Sequence, residues 1–364
     1  MLVWRGSEYL KLDRPLRLIE LFAGYGSQAL ALNYLNIPFE HHFVCEFDKY
    51  AMQSYNEIHN TDFKVSDIRN ISADDLNITE TDKYKYLMTY SFPCTDLSVC
   101  GNKKGMVKNS NTSSSLLWEV ERLLSECSEL PQYLMMENVS QVISDVNIQF
   151  FKEWCQSLCR FGYANYYKVL NASDFGIPQN RERLIMISIL KSENISYKFP
   201  EPLKDFKVVS DIFVGVNEIP YKLILNQINF PHLDKIIKPV QPYYEGRHNF
   251  IVKYSDIKCV TKQFRCNTAI FYDNGIVSTL MAKNCVESTA GHIIKVYDSR
   301  IKCARGLTPK EHFRLMGVKD EDYAKLTCSD RQKYKQAGNS IVVNVLMAVF
   351  ENLFIKDCEE NRLF

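Results

Sequence analysis

From Leu16 onward the chain alternates short apolar runs with stretches in which apolar residues recur every three or four positions. The first pattern suits strands buried on both faces, and the second suits helices that lie over them. Strands are predicted at residues 16–22, 42–46, 86–92, 133–137, 164–170 and 183–189, and helices at 27–35, 49–58, 116–126 and 148–161. That rhythm predicts a doubly wound, Rossmann-like α/β sheet. After Ile189 it stops. Residues 191–304 carry Pro200, Pro202, Pro220, Pro231, Pro239 and Pro242 among many β-branched and aromatic residues, with no long amphipathic helix. A second, smaller, mainly β or irregular domain is expected there. Helical patterns resume at 308–316 and 340–354 and, having no strands of their own to cover, are expected to return to the first domain. The expected divisions are therefore 1–190, 191–304 and 305–364.

Composition narrows the class. With 364 residues, 46% of them hydrophobic, the chain can bury a sizeable core. It has no run approaching the roughly 18 to 20 apolar residues of a membrane span, and its start lacks the ordered segments of a signal peptide, so a soluble cytoplasmic protein with no membrane partner is expected. Twelve cysteines are scattered and none forms C-x-x-C. Reduced thiols are expected, and no metal site. Net charge is only +1, yet residues 191–305 hold 17 Lys and Arg against 11 Asp and Glu, a modest basic excess.

Four stretches carry candidate chemistry. In L-I-E-L-F-A-G-Y-G-S-Q (residues 18–28) a strand enters a glycine turn and then a helix. Gly24 and Gly26 let backbone approach a ligand, and Glu46, 22 residues beyond Gly24, suits the ribose of a nucleoside. Phe47 is placed to stack on an adenine ring and Asp67 to read its amino group. An ordinary tight turn is the bland alternative. Ala29 stands where the third glycine of G-x-G-x-x-G would be, which argues against a nicotinamide dinucleotide.

In S-F-P-C-T-D-L-S-V-C-G-N-K-K-G-M (91–106), Cys94 directly follows a proline where the chain leaves a strand. Core burial is the usual fate of a cysteine. Here the polar stretch that follows, with Gly101, Gly105, Lys103, Lys104 and Lys108, reads instead as a hinged lid that touches phosphates, and Cys94 as a nucleophile. In M-M-E-N-V (135–139), Glu137 ends an apolar strand, where partial desolvation would suit a general acid, while Asn138 could cap a helix. In N-A-S-D-F-G-I-P-Q-N-R-E-R (171–183), Arg181 and Arg183 occupy alternate positions and are expected to converge on one polar group; surface ion pairs are the alternative.

In their order and spacing F-A-G-Y-G, P-C, E-N-V, Q-N-R-E-R, R-G-L-T-P-K-E (305–311) and Q-A-G-N-S-I-V-V-N-V (336–345) resemble the bacterial DNA (cytosine-5) methyltransferases. The resemblance covers roughly residues 16–190 and 300–350, and the stretch between matches as a target recognition domain with its Thr279-Leu280 pair. It implies methyl transfer from S-adenosylmethionine to C5 of a flipped cytosine in duplex DNA through a covalent Cys94 adduct, with Glu137 at N3, Arg183 at O2 and Arg181 supporting the thiolate. It further implies a cofactor site of Phe22, Gly24, Gly26, Glu46, Phe47, Asp67, Ile68, Asn339, Ser340 and Ile341. DNA contacts are expected from Ser98, Lys103, Lys104, Arg247, Arg265 and Thr279, with His248, Gln263 and Lys283 also able to read base edges. The chain departs from the family pattern at Ser27, at Thr95 and at Ser113 to Ser115. A monomer is expected, with a cognate restriction endonuclease as a candidate partner. Rival readings are a tRNA methyltransferase of the same fold, a catalytically silent DNA-binding regulator and, most remote, a dinucleotide oxidoreductase.

Overall fold

The computed structural model describes residues 11–93, 113–203, 206–224, 251–252, 270–282 and 293–355. Contacts divide the chain into two compact units, one of Met1–Leu170, Glu182–Glu201 and Val345–Phe364, the other of Asn171–Arg181 and Pro202–Asn344.

The first unit is built on a six-stranded sheet in the order β2-β1-β3-β4-β7-β5. Its strands are β1 (Leu16–Leu21), β2 (Phe39–Cys45), β3 (Lys85–Tyr90), β4 (Tyr133–Val139), β5 (Tyr163–Asn171) and β7 (Glu182–Leu190), with β6 (Gln179–Asn180) belonging to the other unit. β1 runs parallel to β2 and β3, and β3 parallel to β4, whereas β7 runs antiparallel to β4. Every residue of β3 is buried, as a strand covered on both faces requires. The covering helices are α1 (Ser27–Tyr34), α2 (Lys49–His59), α3 (Ala73–Leu76), α4 (Leu117–Glu126) and α5 (Ile148–Arg160). Leu123 and Trp118 of α4 and Trp154 and Leu158 of α5 pack with Met88, Tyr90, Leu134, Met136, Leu184 and Met186 of the sheet. The Trp154 indole N–H donates to the Tyr90 hydroxyl at 3.1 Å, so the buried polar tips satisfy each other.

Most predicted elements fold within one or two residues of their expected ends. β2 begins three residues earlier than expected, because Phe39 pairs with Leu16 even though F-E-H-H has little apolar character.

The second unit holds a four-stranded sheet in the order β12-β11-β9-β8 and a two-stranded pairing of β10 with β6. These are β8 (Ile251–Val252), β9 (Ile270–Tyr272), β10 (Val277–Ser278), β11 (Lys295–Asp298) and β12 (Cys303–Gly306), followed by α6 (Pro309–Arg314), α7 (Asp320–Tyr323) and α8 (Asp330–Asn339). It contains a buried ionic cluster. Arg305, fully buried, donates through Nε to Asp298 at 2.8 Å and through Nη1 and Nη2 to Glu311, both at 2.8 Å, with the Phe213 ring centroid 4.4 Å from its guanidinium carbon. Two carboxylates around one guanidinium offset a desolvation that an isolated charge could not survive. Glu311 also forms a capping box with Thr308 at the start of α6, so R-G-L-T-P-K-E is one hydrogen-bonded unit.

The divisions expected at 190 and 304 fall elsewhere. Residues 171–181 join the second unit because Gln179 and Asn180 pair with Val277 and Ser278. Val343 N bonds Met316 O and the Asn344 amide bonds Phe175 O, so the second unit reaches Asn344, the second residue of α9 (Val343–Phe354). The rest of α9 belongs to the first unit, where Tyr197 donates to Val349 O and Lys11 N to Phe354 O. α8 was not anticipated, since D-R-Q-K-Y-K-Q-A-G-N has no apolar stripe.

One buried acid in the first unit has a measurable consequence. Glu20 of β1 is fully enclosed and accepts from the Tyr55 hydroxyl at 2.5 Å; burial pushes its pKa up to about 7. Because the fold favours the protonated form, the associated stability is complete below the ordinary glutamate pKa and is lost as pH rises through 7. The difference amounts to about 3 kcal/mol. Urea unfolding at pH 5 and pH 8 should therefore show a larger loss for the wild type than for Glu20→Gln; equal losses would refute this.

Candidate active site

The carboxyl ends of β1 and β2 form the first half of the site. Phe22, just past β1, has a φ of 59°, and Gly24 and Gly26 have φ of 58° and 82°. A left-handed phenylalanine costs on the order of 1–3 kcal/mol and marks a turn that its surroundings over-determine. At Gly26 a Cβ would lie 2.3 Å from His59 Nε2 and 2.7 Å from the Tyr55 ring, so glycine is required by α2 as well as by φ. Ser27, where the family usually has another glycine, opens α1 without a positive φ, and that departure is tolerated.

Glu46 follows β2. Its carboxylate accepts from Gly24 N at 2.8 Å and from Asp48 N at 2.7 Å, which ties the end of β2 to the glycine turn. Burial raises its pKa, and the two amide bonds oppose the rise. Phe47 next to it leaves 71% of its surface exposed. Ser66 N donates to Glu46 O at 3.0 Å and so brings Asp67 and the buried Ile68 to the same edge. Asp67 caps the turn Ile68–Asn70, and the Arg69 guanidinium holds its carboxyl below the usual range. The expected first-unit cofactor residues are thus gathered, although Asp67 already has an occupant for its carboxylate. An exposed ring beside a carboxylate and a tight glycine turn is a donor set that suits an adenosine.

The second half lies where β3 and β4 end. Cys94, Ser98, Lys103 and Lys104 fall outside the described residues, as do Thr95, Gly101, Gly105, Lys108, Arg247, His248, Gln263, Arg265 and Lys283. The chain leading to Cys94 is described as far as Pro93. There the Asn138 amide donates to Phe92 O at 2.9 Å and the Ser114 hydroxyl to Pro93 O at 2.9 Å. Two successive carbonyls before the cysteine are therefore held by side chains. Asn138 does not cap the following turn, as one alternative had it; its oxygen accepts from Val139 N. Nothing in the sequence singled out Ser114, which stands among the three serines that depart from the family pattern.

β7 enters antiparallel beside β4, with Val139 opposite Arg183 and Glu137 opposite Ile185. Arg183 Nε sits 3.1 Å from Glu137 Oε1, and Glu137 is 7% exposed. A buried carboxylate and a guanidinium are thus placed beside the stem of the cysteine.

Arg181 and Arg183 belong to different units. The alternation assumed one continuous strand, whereas Arg181 lies between β6 and β7 and belongs to the second unit. Its Nη1 donates to Leu280 O at 2.9 Å, and its Nη2 to Gly338 O at 3.0 Å and Ser340 O at 2.7 Å. In the same unit Ser340 Oγ donates to Gln336 O, Ile341 is buried, and Asn339 ends α8. Thr279, expected at DNA, donates its hydroxyl to Asn180 O at 2.7 Å.

A Rossmann-like sheet with a glycine turn, a proline-cysteine pair in the sequence after β3, and a Glu–Arg pair at neighbouring strand ends suits an enzyme that binds a nucleoside cofactor and works on a polar ring. Residues 16–355 match the family model for C-5 cytosine-specific DNA methylase, and the chain belongs to that family and is a DNA (cytosine-5) methyltransferase. It is similar to the type II methyltransferase M2.ScrFI of Lactococcus lactis subsp. cremoris, at 32% identity over 93% of this chain and 99% of that one. It is similar also to M.HhaI of Haemophilus parahaemolyticus, at 30% identity over 93% and 94%. Among solved structures, the Dnmt2 methyltransferase of S. pombe shares the fold with a TM-score of 0.66 at 20% identity, covering 92% of this chain and 97% of its own.

Asn138→Ala leaves Phe92 O buried without its donor and should cost about 1–3 kcal/mol of stability in denaturant unfolding. A variant as stable as the wild type would show that the clamp before Cys94 is dispensable.

Proposed function

We propose that the protein methylates C5 of one cytosine within a specific duplex sequence, with Cys94 as nucleophile, Glu137 as proton donor at N3 and Arg183 as the group that holds O2. The observation that carries this reading is the Glu137–Arg183 pair beside the clamped Phe92-Pro93 stem. C5 of cytosine is a weak nucleophile. Addition of the Cys94 thiolate to C6, with Glu137 protonating or hydrogen-bonding N3, makes C5 electron-rich. Loss of the C5 proton after methylation expels the thiolate and restores the ring. Arg183 would do two things, orient the base and limit the charge that builds on it. The reacting edge of a stacked cytosine is inaccessible, so the base is flipped into the site.

The methyl donor is S-adenosylmethionine, which when bound supplies an electrophilic methyl group on a sulfonium. Phe47 would stack on its adenine and Glu46 would accept from its ribose hydroxyls with the lone pairs its two amide bonds leave, while Gly24 and Gly26 let the backbone approach. Phe22, Asp67, Ile68, Asn339, Ser340 and Ile341 complete the set that the family motifs assign. Arg181, by the same motif, would support the thiolate and the charged intermediate. Ser98, Lys103, Lys104, Arg247 and Arg265 are the proposed DNA contacts, and Thr279 acts there through its place on Asn180. We further propose that the enzyme acts as a monomer on cytoplasmic DNA, either paired with a cognate restriction endonuclease or as an orphan methyltransferase.

Duplex DNA carrying 5-fluorocytosine should form a covalent adduct that maps to Cys94 by peptide mass, and Cys94→Ser should lose turnover by at least roughly a thousandfold while still binding S-adenosylhomocysteine. An adduct on another cysteine would reject the nucleophile. Labelled methyl transfer to duplex DNA and tRNA in parallel tests the substrate, and transfer to tRNA alone would reject the duplex. Bisulfite sequencing of DNA from an expressing host then reads out the target sequence.

A further inference from the structure

Arg181 is 2% exposed, and the hydrogen bonds of its guanidinium join two strips of the second unit that are far apart in sequence. One strip is the end of the recognition segment. β10 pairs with β6, Val277 opposite Gln179 and Ser278 opposite Asn180; Thr279 Oγ1 then donates to Asn180 O, and Leu280 N donates to Gln179 Oε1 at 3.0 Å. Gln179 in turn donates to Leu315 O at 2.8 Å, which seats the pairing on the turn after α6. The other strip is the end of α8 and the residues after it. Nη1 of Arg181 holds Leu280 O in the first strip, and Nη2 holds Gly338 O and Ser340 O in the second.

The strips also meet directly. A Cβ on Gly338 would lie 2.5 Å from Ala282 N and 2.5 Å from Met281 C, so backbone passes against backbone with no room for a side chain. Carbonyls at a helix end carry partial negative charge and lack intrahelical donors, and a planar guanidinium with its donors at fixed angles can bind two of them while facing a third on the other strip. A lysine has the charge without the fork. Motion of either strip must therefore move the other or break buried, charge-assisted hydrogen bonds.

We infer that Arg181 is a positioning residue that couples DNA engagement at Thr279-Leu280 to cofactor engagement at Asn339 to Ile341, so that each ligand tightens the other. The inference rests on the functional reading above, which assigns those two segments to DNA and to S-adenosylmethionine. By linkage, DNA must tighten the cofactor product by the same factor that the product tightens DNA.

The test is the dissociation constant of S-adenosylhomocysteine for the full chain, measured by titration calorimetry with and without saturating plasmid DNA from a host that lacks cytosine methylation. In the wild type, DNA should tighten binding about tenfold, inside the roughly 5- to 150-fold range of ordinary couplings. In Arg181→Lys that ratio should fall below about threefold, whatever happens to the absolute affinities. A residue that only braces the fold would weaken binding with and without DNA alike and leave the ratio unchanged. Thr279→Val, which removes only the bond to Asn180 O, is the milder variant and should lower the ratio about twofold, and it keeps the test open if the lysine variant does not fold. Unchanged ratios in the variants that fold, or a wild type that methylates DNA yet shows no tightening, would overturn the coupling. A wild type that neither binds S-adenosylhomocysteine nor methylates DNA would instead overturn the functional reading.

Discussion

The antiparallel pairing of β7 against β4 is the constraint on which the active edge depends. In an all-parallel sheet the first residues of β7 would lie at the opposite edge from the end of β4, roughly 20 Å away for strands of this length. Reversal of one strand puts Arg183 opposite Val139 and its guanidinium against Glu137. The carboxylate can then be buried at the end of a hydrophobic strand, because its counter-charge arrives on the adjacent strand.

That edge is rigid where the chemistry requires it. The stem before Cys94 is gripped through Phe92 O and Pro93 O by side chains from β4 and from the turn before α4. The neighbouring glycine turn is gripped through Gly24 N by Glu46, and strain at Phe22 is held by the same surroundings.

The second unit is organised by buried arginines. Arg305 gathers Asp298, Glu311 and the Phe213 ring, and Arg181 gathers three carbonyls from two strips of backbone. In both, buried hydrogen bonds of a planar guanidinium fix the shape of the backbone around it. These polar clusters sit among buried apolar residues such as Val214, Phe271, Val296, Leu307 and Phe313.

Much was legible in the sequence. Apolar runs such as Y-L-M-M and L-I-M-I-S-I leave few alternatives to buried strands, and the motif order from F-A-G-Y-G to Q-A-G-N-S carried the resemblance to the family that implied the reaction. The place of Glu137 near the end of an apolar strand was legible, and the structure has it in β4. What the residues could not reveal was direction and company: that β7 runs antiparallel to β4, that Arg181 bonds the carbonyls of Leu280, Gly338 and Ser340, and that Asn138 and Ser114 bond backbone carbonyls. Periodicity reports which face of an element is apolar, a local property of the chain. Strand polarity and hydrogen-bond choice are settled only when distant segments compete for the same donors and acceptors, and that competition exists only in the folded structure.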